Sequence, residues 1–265
     1  MTSLSEFFRK PRCDAALESY TVFWQSSRWP IEHKFEMYNW AKAAFDSELE
    51  ERDKRTAFHK VYDTLKGYWQ VFRNASQYWS ADKTFDELTN ECHAFSRQSG
   101  LTLTALRPDT RESETVFDGL SRLRGLKSTK YYPWMAVAKF THFFNPFLFP
   151  IYDKRFIRDK VLNGVFRTDY RQWCRKIGVD PNETNESAGF NLTYTLMAAN
   201  VIQEADASFM PHFRQWFSRQ VGRCNDEHGV LDEVSRYFAT AFEYAAIGAA
   251  HLELREALPV NTYGT

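Results

Sequence analysis

Glycine and proline are scarce in this chain, 11 and 9 among 265 residues, too few for an architecture of many short strands joined by tight turns. No apolar run approaches the roughly 18 residues that a membrane-spanning helix needs. The opening stretch Met1–Asp14 has no apolar core followed by a small-residue cleavage site, so no secretory signal is expected and the cytoplasm is the expected compartment. Cysteines are few and far apart. Cys13, Cys92, Cys174 and Cys224 contain no Cys-x-x-Cys pair and are expected to be reduced, partly buried thiols. No Cys/His cluster has zinc spacing, no four-cysteine run fits an iron–sulfur cluster, and the seven histidines stand apart, so neither a metal nor any other cofactor is expected. Net charge is missing as well: 34 Lys+Arg balance 34 Asp+Glu. Taken at face value, that argues against a nucleic-acid partner.

What the chain has in quantity is helical periodicity. Phe58, Val61, Tyr62, Leu65, Trp69 and Phe72 recur at three- and four-residue steps and form one apolar stripe. Thr84-Phe-Asp-Glu87 reads as a capping box that opens a helix carrying Leu88 and Phe95. Further helices are expected over Asp14–Gln25, Ile31–Asp46, Ser113–Arg124, Pro133–Phe144, Lys154–Leu162, Leu192–Gln203, Pro211–Gln220 and Leu231–Glu253. Pro133 and Pro211 suit first-turn positions, where a missing N–H costs nothing. The one strand candidate is Ser96–Asp109, with the alternation Leu101-Thr-Leu-Thr104. The expected fold class is all-α, in a single domain over residues 1–265 and without internal repeats. Phe, Tyr and Trp make up 17% of the chain. Most of those rings are expected to fill the core, and Tyr and Trp near basic residues are the ones suited to stack on bases.

The zero total charge conceals a strong segregation. Between Ser121 and Lys176 there are thirteen Lys and Arg against only Asp153, Asp159 and Asp169, a net of +10, which leaves −10 for the remainder. A local excess of that size attracts a polyanion whatever the total. The acidic residues Glu48, Glu50, Glu51 and Asp53, and Glu233, Glu243 and Glu253, read as solvated faces. Within the basic segment, a helix ends at Leu123-Arg-Gly125 and a basic, aromatic turn follows. A second helix breaks at Asn145-Pro146, and the apolar stretch Phe147–Tyr152 delivers Asp153 to the start of another helix. An Asp in that position caps exposed N–H groups, and the helix dipole favours its ionised form.

This arrangement resembles the helix–hairpin–helix DNA glycosylase superfamily. Its members carry Leu-x-Gly at a hairpin, then a helix, then an apolar-Asp-x-x-apolar-x-Arg signature, which here reads Pro150-Ile-Tyr-Asp153-Lys-Arg-Phe156-Ile-Arg158. The resemblance covers Ser113–Val161, under a fifth of the chain, with residues 113–176 as the basic segment that holds the signature. It implies two helical lobes with the active site between them, Asp153 as the catalytic carboxylate and Arg158 in the later basic position. It also implies base flipping and excision from double-stranded DNA that bears modified bases, by a monomer. The family's Gly-x-Gly hairpin is reduced here to Gly125, and the turn is longer, running through Lys127, Lys130 and Pro133. The place of the nucleophilic lysine in bifunctional members falls near Trp134, which implies a monofunctional hydrolase that leaves an abasic site. Tyr131, Tyr132, Trp134 and Tyr152 are the candidates for the base pocket. Lys127, Lys130, Lys139, Arg155 and Arg158 are the candidates for phosphate contact. The divergent hairpin is similar in spirit to bacterial antiviral defence glycosylases that act on hypermodified phage bases such as glucosylated hydroxymethylcytosine.

Three other readings compete. One is a non-catalytic nucleic-acid-binding module that keeps the hairpin scaffold. Another is a helical RNase marked by Arg-x4-His, matched by Arg28…His33 and Arg223…His228. The third is an interaction protein whose basic face binds an acidic partner.

Overall fold

A computed structural model describes residues 8, 12–25, 31–45, 48–67, 80–123, 134–151, 154–181, 188–205, 207–221, 230–234 and 236–257. Every regular element among them is helical and none is a strand, so the fold class is all-α. The helices are α1 (Arg12–Gln25), α2 (Ile31–Ala44), α3 (Glu51–Gly67), α4 (Ala81–Glu91), α5 (Arg111–Arg122), α6 (Trp134–Phe144), α7 (Arg167–Ile177), α8 (Ala188–Glu204), α9 (Phe209–Val221), α10 (Val230–Val234) and α11 (Phe238–Ala257). Between α6 and α7, Lys154–Val165 winds as a π helix, whose i→i−5 pattern continues in the Phe166 N–H donating to the Val161 carbonyl at 2.9 Å.

Three helices form the interior. In α6, Ala136–Phe144 are all buried, and α8 buries every residue from Asn191 to Ala199. In α11, Ala239–Ala250 include no exposed position. A helix that is apolar all round belongs in a core rather than at its surface. α8 packs against both α6 and α11. The remaining helices are amphipathic and lay one stripe on this interior: α3 buries Phe58, Val61, Tyr62 and Leu65, and α4 buries Ala81, Thr84, Phe85 and Leu88. α2 packs on α3 and on α6, α1 and the π helix pack on α11, and α7 packs on the π helix and on α8.

Ring contacts fill much of the space between helices. Phe45 meets Phe58, Phe85 and Phe144 with centroids 5.8, 5.8 and 4.8 Å away, under α2, α3, α4 and α6. Tyr20 stacks on Tyr244 at 4.5 Å and meets Trp216 at 5.9 Å, under α1, α9 and α11. Offset and edge-on pairs of this kind add to burial about 0.5–1.5 kcal/mol each. Cys13, Cys92 and Cys174 are buried free thiols. Burial pushes the Cys13 thiol up to about 12 and raises Cys92 and Cys174 as well, which leaves all three unreactive.

The structure departs from the sequence expectations at several elements. Ser96–Asp109 is not a strand: it contributes 3-10 turns at Arg97–Ser99 and Leu103–Ala105, after one at His93–Phe95. No neighbouring strand exists among the described residues to pair with it, and Leu103 and Leu106 are buried at helical spacing. The cap of α4 is Ser80, whose Oγ accepts from the Lys83 N–H at 3.2 Å. Thr84 lies inside the helix, with its hydroxyl on the Ser80 carbonyl at 2.9 Å. The single helix expected over Leu231–Glu253 is broken into α10 and α11. The Arg236 and Tyr237 N–H groups close tight turns onto Glu233 and Val234 there, at 2.9 and 3.0 Å. α7 was not expected, because only Tyr170 and Cys174 of its residues are buried and its apolar signal is correspondingly thin. Of the stripe expected through Phe72, Trp69 and Phe72 lie outside the described residues.

α1 and α11 approach closely at Gly248, where a Cβ would collide with the Ala16 carbonyl and press on Tyr20. In an ordinary helix, Gly→Ala stabilises by about 0.5–1 kcal/mol. Here Gly248→Ala is expected to reverse that sign and cost about 1–3 kcal/mol, as overpacking does. A lowered midpoint in thermal or urea unfolding checks it.

Candidate functional site

The sequence motif depends on how the chain leaves α6 and reaches the π helix. α6 ends at Phe144, and Asn145-Pro146 stops it, since proline cannot continue the ladder of hydrogen bonds. The connection from Asn145 to Ile151 runs through the interior, with every residue buried except the half-buried Phe147. Buried backbone away from helices needs partners, and two side chains of this segment supply them.

Asn145 is fully buried. Its Nδ2 donates to the carbonyls of Phe95, Ser96 and Leu101 at 2.9, 3.3 and 3.3 Å, and its Oδ1 accepts from the Phe147 N–H at 3.1 Å. The Leu103 N–H donates to the Phe147 carbonyl at 2.9 Å, so the turns after α4 are sewn to the break after α6. His142, also fully buried, places Nδ1 2.6 Å from the Phe149 carbonyl and Nε2 2.6 Å from the Tyr38 hydroxyl. A carbonyl only accepts, so Nδ1 carries the proton and Nε2 receives the Tyr38 hydroxyl.

An ionic network closes the same end of α6. Arg97, with a side chain only 10% exposed, donates from Nε to the Phe144 carbonyl and from Nη2 to the Phe143 carbonyl, each at 3.3 Å. Its Nη1 donates to Glu233 at 3.3 Å. Glu233 also accepts from the Tyr237 hydroxyl at 2.6 Å and from Lys42 at 2.9 Å. Burial would raise the Glu233 carboxyl, but the Tyr237 and Lys42 hydrogen bonds and the charges of Arg97 and Lys42 outweigh it and hold it below the ordinary range. Glu233 is therefore not a solvated acid. Nor is Glu243, which is buried on α11, the helix that packs against the π helix. Glu253 is the exception among the three, partly exposed and 3.9 Å from Arg12.

The expected site residues fall into three groups. Asp153, Tyr131, Tyr132, Tyr152, Lys127 and Lys130 lie outside the described residues, as do Arg28, Arg223 and His228 of the RNase motif and the side chains of Trp134, Arg155 and His33. Arg158 lies on the π helix, 22% exposed, with Nε donating to Asp159 at 3.1 Å. Lys139 is a correction: the expected phosphate contact is buried in the middle of α6, because that helix has no solvent face between Ala136 and Phe144. Among the described residues, no group of three or more His, Cys, Asp or Glu is arranged to hold a metal, and no helix is long and apolar enough to cross a membrane.

Sequence reasoning missed Arg97, Glu233, Tyr38 and His142. They lie on four separate elements, and the signal that exposes them is convergence on the α6 exit rather than any local spacing. In comparisons with known proteins, the chain matches no family model, no curated protein and no solved structure.

Two outcomes follow from this geometry. Asn145→Ala removes the side-chain partner of the Phe95 and Leu101 carbonyls and of the Phe147 N–H, while the Ser96 carbonyl keeps the Ser99 N–H at 3.0 Å; at about 1–3 kcal/mol per unsatisfied group the loss is expected on the order of 3 kcal/mol, read from urea unfolding. Because the Glu233 carboxyl is lower in the folded than in the unfolded chain, its contribution is complete above its ordinary value of 4.5 and vanishes as pH falls through the folded value. Glu233→Gln should flatten the acid limb of the stability profile below about pH 5 and lower stability at neutral pH, where Arg97 loses its counter-charge.

Proposed function

We propose that the protein is a monofunctional DNA glycosylase, which flips a modified base out of double-stranded DNA and hydrolyses its N-glycosidic bond, leaving an abasic site. The observation that carries this reading is the exit from α6. A helix ends at Asn145-Pro146, an anchored apolar connection runs to Ile151, and the next helix begins at Lys154, one residue after Asp153. That order is the one the glycosylase signature requires, and it falls inside the +10 segment. The π winding of Lys154–Val165 lends support, since departures from α geometry cluster at functional sites.

In this reading Asp153 stays ionised, because the exposed N–H groups of the following helix favour its charge. Positive charge develops on the sugar as the glycosidic bond lengthens, much as in glycoside hydrolysis. The Asp153 carboxylate stabilises that oxocarbenium-like centre and orients or deprotonates the attacking water. Arg155 and Arg158 hold phosphates, with Lys127 and Lys130 on the hairpin side, and Tyr131, Tyr132, Trp134 and Tyr152 receive the flipped base. His142 and Asn145 act at a distance by fixing the path of residues 145–151. The substrate class is a bulky modified base such as glucosylated hydroxymethylcytosine in phage DNA, since Tyr and Trp suit stacking against an attached sugar.

Asp153→Asn is expected to preserve folding and DNA affinity and to reduce base release by at least about a thousandfold. The readout is alkali-labile sites after incubation with modified phage genomes and defined oligonucleotides. Full activity in Asp153→Asn sinks the assignment. Tight, salt-sensitive binding with no abasic product from any DNA selects the second reading, a non-catalytic nucleic-acid-binding module, which the exposed basic residues of α7 favour.

A further inference from the structure

Some surface cations of the fold sit among acids. On α3 and α4, Arg55 reaches Glu51, Asp82 and Asp86 at 2.8, 3.4 and 2.5 Å and lies over the Phe85 ring, and His59 meets Asp82 at 3.1 Å. α7 is different. Its buried residues Tyr170 and Cys174 are one turn apart and fix which side faces the core. Arg167, Arg171 and Arg175 follow the same four-residue step on the outside: Arg167 and Arg175 are exposed and Arg171 is half-buried. None of the three stands in an ion pair among the described residues. Lys176 adds a fourth charge beside them and lies 4.7 Å from the Trp173 ring. The one acid on the helix, Asp169, sits in its first turn, where the dipole accounts for it. The far end is rigidly closed: Gly178 is left-handed at φ 76° and the Val179 N–H returns to the Cys174 carbonyl at 2.8 Å.

We propose that this outer face of α7 is a docking surface for the phosphate backbone of double-stranded DNA. At about 1.5 Å of rise per residue, the three guanidinium groups span about 12 Å of helix. One strand of a duplex carries three to four phosphates over roughly that length. Guanidinium is the group suited to phosphate, since its planar fork donates two hydrogen bonds to one phosphate. Three arginines in a row with no ion pair among the described residues repel one another, which a polyanion relieves. The α7 face is joined to the π helix through Phe166 alone and packs against it. DNA held there is therefore engaged 14 to 22 residues along the chain from Asp153. The choice of DNA over another polyanion rests on the glycosylase reading; the existence of the surface does not.

The test is equilibrium binding of an unmodified fluorescent duplex to the full chain across a salt series, comparing wild type with Arg167→Gln/Arg171→Gln/Arg175→Gln. A control, Arg52→Gln/Lys54→Gln/Lys66→Gln, removes equal charge from α3. The α7 variant is expected to melt like wild type. It should bind at least roughly tenfold more weakly at low salt and lose about 2–3 from the slope of log affinity against log salt, at about 0.9 per phosphate contact. The control should keep the wild-type slope. An unchanged slope in the α7 variant overturns the proposal, as does an equal fall in the control. So does an α7-dependent affinity for RNA or an acidic peptide without one for duplex DNA. Duplex binding that depends on α7 while no DNA yields abasic sites upholds this surface and removes only the glycosylase reading.

Discussion

The constraint on which the rest depends is the need to end a buried helix inside the protein. α6 is buried on every side from Ala136 onward, and its last carbonyls and the chain that follows cannot reach water. Arg97 takes the carbonyls of Phe143 and Phe144, Asn145 ties the break to the turns after α4, and His142 holds the Phe149 carbonyl. Removing any one of them leaves polar groups in a medium where each costs far more than the hydrogen bond returns. The surrounding elements are placed accordingly. α2 brings Tyr38 and Lys42, α10 brings Glu233, and the 93–105 turns bring Arg97 and their own carbonyls to one end of one helix.

This anchoring has a functional consequence in the glycosylase reading. A carboxylate that stabilises a developing cation is effective only if it is held before the charge appears, and a loop that carries one is a poor support unless its own backbone is fixed. Residues 145–151 are tied by hydrogen bonds to the turns after α4, far away in sequence, so the position handed on to the π helix is set by the tertiary fold. The same economy appears in the charges. Glu51, Asp82, Asp86 and Glu233 are taken up by pairs with Arg55, His59, Arg97 and Lys42, while the arginines of α7 are left outward. Neutral total charge and a basic face are therefore compatible, because the balancing acids are elsewhere in the molecule.

Much of the helical framework was legible from periodicity. α3 buries Phe58, Val61, Tyr62 and Leu65 and α4 buries Leu88 as their stripes name, whereas Phe95 falls in a 3-10 turn beyond α4, and the stop at Asn145-Pro146 follows from proline chemistry. Capping was less legible. Ser80 and Thr84 both offer a hydroxyl three residues before a polar partner, and only the burial of Thr84 decides between them. The strand expected at 96–109 failed because alternation over four residues is weak evidence without a partner strand, and Leu103 was instead recruited by the Phe147 carbonyl. Lys139 was misread for a related reason: a lysine in sequence carries no mark of which helices will cover it.

The sequence by itself determined an all-helical chain, the position of the break before Pro146 and the segregation of charge, because proline geometry, helical period and residue charge are local properties. Only the tertiary structure decided that α6, α8 and α11 are interior, that Glu233 and Glu243 leave the surface, and that Arg97, His142 and Asn145 converge on one helix end. Those outcomes depend on which elements meet, and contacts between residues 136 positions apart, such as Arg97 with Glu233, have no signature in any window of the chain.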